Sequence, residues 1–153
     1  MYEFFTFLHI IGFVVWLGFL ISVAIILPMF MNQLDTDLGR NTVRKVIRIF
    51  SATSYLAAIA VLVSGIFRVV QMNFGDAAKP FWLNYMEMGG GMIVMAGIFF
   101  MLVLGRRVTK PLSSRNASMD VSVIKKRLAA YLTAVVVIML VVLSVIVVVS
   151  FKF

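Results

Sequence analysis

A predominantly apolar run extends from Phe4 to Phe30, and three more long apolar runs follow it along the chain. Roughly 20 apolar residues cross the hydrocarbon core of a bilayer as a helix, so each run reads as a transmembrane span. The predicted fold is an all-α membrane protein with four transmembrane helices in two hairpins. The helices are expected over about 4–30, 43–72, 86–104 and 121–150, in a single domain covering 1–153. The composition agrees, being 63% hydrophobic where soluble domains lie near 45–50%. The N-terminal segment carries Glu3 and no basic residue before its apolar run. The run is also too long for a cleavable signal peptide, so it is expected to stay as the first helix.

The polar segments set the expected topology. Helix one holds Pro28 in its last turn and gives way to a polar link, Asn32 to Arg40. Asn41-Thr42 can cap the next helix. Val43, Val46, Ile47 and Phe50 then recur at helical spacing, with Arg44, Lys45 and Arg48 between them, as a basic amphipathic ramp into helix two. Asn73 to Pro80 reads as a loop, with Gly75-Asp76 as its turn signal, and Phe81 to Tyr85 as an aromatic interfacial belt. Gly105 suits the C-cap of helix three. The link from Val108 to Asp120 leads into a second basic ramp, Val121 to Arg127, and then helix four.

The net charge is +8. Its basic residues cluster in the links after helices one and three, beside apolar segments, which points to lipid head groups rather than nucleic acid. The positive-inside rule therefore places both long links in the cytoplasm and both termini outside, in a membrane of the bacterial inner (plasma) type. The sequon at Asn116-Ala117-Ser118 then falls inside.

With no cysteine, thiolate metal sites, c-type haem attachment and cysteine-bound iron–sulfur clusters are excluded. One histidine, His9, sits within the first span. Ionisable groups inside a membrane are functional candidates by default, and imidazole is the commonest metal ligand. At 1.5 Å per residue His9 lies roughly 7–8 Å below the outer surface. Arg68 near the end of helix two and Glu87 near the start of helix three share that layer. His9 shares a face with Thr6, Gly12, Phe13 and Trp16. Ser54, Ala57, Val61, Ser64, Gly65 and Arg68 form one stripe of helix two, with small residues suited to close packing. Gly89-Gly90-Gly91 and Gly97 leave room for a close backbone or a flat ligand. Met72, Met86, Met88 and Met92 are possible thioether ligands. The bland readings are an interhelical hydrogen bond for His9, snorkelling for Arg68, an interfacial carboxylate for Glu87 and apolar filling for the methionines.

Leu8-His9-Ile10-Ile11-Gly12-Phe13-Val14-Val15-Trp16, with Gly18, resembles the first helix of copper-resistance protein D family members and of HemJ-type protoporphyrinogen oxidases. Lys45 to Phe67, Trp82-Leu83 and Gly105-Arg106-Arg107-Val108-Thr109-Lys110-Pro111-Leu112 continue the likeness in order. The resemblance implies a four-helix membrane core and a haem b ligated by His9. Met86 stands where the HemJ type carries a lysine, a departure in the polar chemistry of the oxidase. The expected function is a haem-b-binding redox component, with His9, Arg68, Trp16, Met86 and Glu87 as cofactor-binding residues and His9 as the metal ligand. The alternatives are a non-catalytic subunit or assembly factor of a larger membrane complex, and copper handling as Cu(I) at the outer face. Expected partners are the lipid bilayer and either further copies of the chain or other membrane subunits.

Overall fold

The computed structural model describes residues 2–72, 81–113 and 120–151, without the side chains of Tyr2, Met72, Trp82 and Ser113. Among these residues the chain is helical and contains no strand. Helix α1 spans Tyr2–Phe30 and ends in a 3-10 turn, Met31–Gln33. Helix α2 spans Asp37–Met72. Helix α3 is composite: Phe81–Asn84, a π-helical turn Tyr85–Gly90, then Gly91–Ser113. Helix α4 spans Val121–Phe151. Four helices are long and apolar enough to cross a membrane, and the chain is a multi-pass membrane protein. The turn proposed at Gly75-Asp76, Lys79 and the Asn116 sequon lie outside the described residues.

α1 packs on α2 and α4, and α3 packs on α2 and α4, closing a ring of four helices. The core runs along the inner stripes: Trp16, Leu20, Val23 and Leu27 of α1 meet Ala57, Ala58 and Val61 of α2, Val94 and Met101 of α3, and Tyr131, Val135 and Val142 of α4. Aromatic pairs join α1 to α2 near one end and in the middle of the helices. Phe5 stacks on Phe67 at 4.4 Å, and Phe19 meets Phe50 edge-on at 5.6 Å. Large apolar side chains such as Ile25, Leu56, Phe99 and Leu140 point outward, as a lipid-facing surface requires.

Three boundaries differ from expectation, each for a local reason. α2 begins at Asp37, six residues before Val43, because Thr36 rather than Asn41-Thr42 caps it. The Gly39 amide donates to Thr36 Oγ1 at 3.1 Å, satisfying one of the amides a helix start leaves open, and the Arg40 amide makes the first intrahelical bond to the Thr36 carbonyl at 3.1 Å. Gly39 is required there, since a Cβ would overlap the Gln33 carbonyl. Thr42 lies inside the helix, its hydroxyl bonded back to the Leu38 carbonyl at 2.9 Å.

α3 also begins earlier, at Phe81, so the aromatic segment is helical. It does not end at Gly105, which is buried mid-helix beside Tyr131 and Ser51. The helix runs on through Pro111 to Ser113. A proline leaves the carbonyl four residues earlier without its amide, and for Pro111 that carbonyl is Arg107's. Arg127 Nη1 of α4 donates to the Arg107 carbonyl at 3.2 Å. A charged side chain from the neighbouring helix thus replaces the missing backbone donor. The ramp at Val121 to Arg127 is the start of α4, as expected.

Candidate functional site

His9 is fixed before any ligand is considered. Its Nδ1 lies 3.0 Å from the Val61 carbonyl oxygen and 3.1 Å from Ser64 Oγ on α2. A carbonyl only accepts, so Nδ1 carries the hydrogen. Ser64 donates its own hydrogen to the Ala60 carbonyl, which leaves its oxygen free to accept from Nδ1–H as well. In the neutral ring Nε2 is then the unprotonated nitrogen, with no hydrogen bond among the described residues. A backbone carbonyl holding one nitrogen while the other keeps its lone pair is the arrangement used by metal-bound histidines. Gly65 makes room for the ring: a Cβ at this position would stand 3.3 Å from His9 Cε1.

His9 forms part of the wall of a cavity of about 320 Å³ among all four helices, within the roughly 300–1,000 Å³ of small-molecule sites. Phe13 and Trp16 share its α1 wall, Val61, Leu62 and Ile66 its α2 wall, and Val142 and Val145 close it from α4. The α3 wall is Met86, Glu87, Gly90 and Gly91, with Ile93 and Val94 beyond. The π turn explains this set. Bonding from i to i+5 widens the turn, so residues four and five apart come to one face, as Met86 and Glu87 do with Gly90 and Gly91. A Cβ on Gly91 would meet nothing within 4 Å, so this glycine lines open space, whereas one on Gly90 would touch a Val145 methyl at 3.9 Å.

The structure brings four of the five expected residues, His9, Trp16, Met86 and Glu87, to this one cavity. Arg68 is the exception. It does not line the wall. Its Nε is buried without a hydrogen-bond partner among the described residues. Trp16 is fully buried, meets Phe13 edge-on at 6.5 Å and leans on Gly97, where a Cβ would sit 3.2 Å from its ring. Of the methionines, Met86 shares the cavity with His9, whereas Met88 and Met92 are 61% and 64% exposed and turn away. The Met72 side chain lies outside the described residues. Among the described residues no three of histidine, cysteine or carboxylate group as a metal cluster.

Sequence reasoning found the α1 face, the α2 stripe and the glycines of α3. It did not single out the Val61 carbonyl as the histidine's anchor, because backbone atoms leave no mark in a sequence. It also missed Val142 and Val145, two among many valines of α4. No family model, curated protein or solved structure matches the chain.

Proposed function

We propose that this is a haem-b-binding redox component of a bacterial-type inner membrane, with its helices in two hairpins and both termini outside. The observation that carries the reading is His9: its Nδ1–H is tied to the Val61 carbonyl, which leaves Nε2 unprotonated, and the residue lines a largely apolar cavity. These residues fit a haem. Nε2 of His9 would hold the iron, and the Met86 thioether in the same cavity would be available as a further donor. Phe13 and Trp16 supply aromatic wall, and Gly91 the open face. Arg68, buried at Nε without an acceptor, is the cation available for a propionate. Haem supplies one-electron chemistry when bound; the chain orients it, excludes water and places positive charge beside it. The resemblance of the first helix to the copper-resistance D and HemJ type supports this reading. The methionine at position 86 argues for electron transfer rather than the oxidase reaction.

Purification from cells supplied with haem, followed by an absorbance scan, tests the proposal. A Soret band is expected, and Arg68→Leu should lower haem occupancy. A colourless protein at full haem supply would overturn the reading.

A second reading, a subunit of a larger membrane complex, draws on an outward groove of about 440 Å³ between α3 and α4. Ala96, Ala130, Thr133 and Ala134 line it, and small residues of this kind admit a neighbouring membrane helix. Native electrophoresis of mild-detergent extracts distinguishes it: a particle no larger than a homodimer would count against it. Copper handling would rest on His9 and Met86 as the nitrogen and thioether donors among the described residues of the cavity and is the weaker alternative.

A further inference from the structure

At the far end of the bundle, α2 and α3 diverge around a second groove of about 900 Å³. Arg44 and Arg48 line it from α2, and Arg106 and Lys110 from α3, with no carboxylate in its wall among the described residues. Among the described residues the arginine side chains that are hydrogen-bonded are Arg40 and Arg127, and none of the four groove cations has a hydrogen-bond or ion-pair partner. Four like charges facing one space repel one another unless an anion lies between them. The floor is polar as well. The Ser51 hydroxyl lies in it, and Tyr131 is buried beside Ser51. Ser51 lies beside the hydroxyls of both Tyr131 and Tyr55, the latter also in the groove wall. Ile47 and Leu102 carry the wall on toward the apolar span.

We propose that this groove is a binding site for the phosphate of an anionic phospholipid. Arg48 and Arg106 would clasp the phosphate, and the acyl chains would follow the apolar wall. The ligand chemistry is an anionic phosphate ester. A lipid is favoured over a free phosphate because the cations stand where two membrane helices end and the wall below them is apolar, the setting in which basic pockets take lipid head groups. This inference is independent of the haem proposal, since it uses the opposite end of the helices and none of the cavity residues.

The test titrates detergent-purified protein with short-chain phosphatidylglycerol, short-chain phosphatidylcholine or inorganic phosphate, and counts bound molecules by native mass spectrometry. One saturable phosphatidylglycerol is expected, with phosphatidylcholine at least tenfold weaker. Replacing Arg48→Gln and Arg106→Gln together should weaken the anionic lipid roughly tenfold or more. Lys126→Gln, outside the groove on α4, should bind as the wild type does. Ala52→Phe fills the groove from an exposed position of α2 without touching a charge. It should abolish the site even if the double variant fails to assemble. Equal binding of both lipids, or unchanged binding in Ala52→Phe, would overturn the proposal. So would inorganic phosphate binding that the lipid cannot displace.

Discussion

Gly12 sets how closely α1 approaches α2. A Cβ there would stand 3.1 Å from a Val61 methyl and 3.3 Å from the Ala57 carbonyl oxygen, and a backbone oxygen in a helix cannot swing aside. Gly18, two turns on, has nothing within 4 Å of that position. Gly12→Ala should therefore destabilise the bundle by about 1–3 kcal/mol through overpacking. Gly18→Ala should be neutral or raise stability by roughly 0.5–1 kcal/mol, since glycine is a poor helix former. Thermal unfolding in one detergent separates the two, and equal shifts would contradict the packing described. The same approach brings the Val61 carbonyl to His9, so this contact between helices also orients the ring. At this scale the sequence was informative about side chains: the stripe Ser54, Ala57, Val61, Ser64 does face inward. It was silent about the carbonyl that decides the tautomer.

The helices were legible as elements because apolar runs of this length have few alternatives, whereas their ends were not. Helix starts depend on one side chain reaching one amide, and Thr36 does this where Asn41 and Thr42 had equal chemistry. Gly105 looked like a stop because glycine commonly ends helices, yet here it makes room for Tyr131 and Ser51. The π turn had no sequence signature beyond its glycines. At the start of α4 the Asp120 carboxylate accepts from the Ser122 amide at 3.1 Å and the Ser122 hydroxyl at 2.9 Å. Both bonds favour the ionised form and hold this exposed carboxyl below the usual carboxylate range. A depressed folded-state pKa gives stability that is present above the unfolded value, near 4, and is lost as pH falls through the folded one. Asp120→Ala should thus weaken the start of α4 at neutral pH and cease to matter in strong acid. Hydrogen exchange of the first amides of α4 would check this, and a pH-independent difference would contradict it.

The whole molecule separates its chemistry by end. His9, Glu87 and Arg68 lie toward one end of the bundle, and Arg44, Arg48, Arg106 and Lys110 toward the other. That separation follows from a topology in which the basic links share one side of the membrane. A reporter that fluoresces only in the cytoplasm, fused after Phe153, should stay dark, and a bright fusion would reverse the assigned sidedness. The central claim, however, rests on a single nitrogen. Purified wild-type protein and His9→Gln should be titrated with haem and followed by absorbance. Glutamine can keep a hydrogen bond to the Val61 carbonyl through its amide, but it is a poor iron ligand. The account predicts a saturable, red-shifted Soret band for the wild type. It predicts a folded, equally stable His9→Gln variant whose band is absent or unshifted from free haem. Identical spectra for the two proteins, or no haem uptake by either, would contradict it.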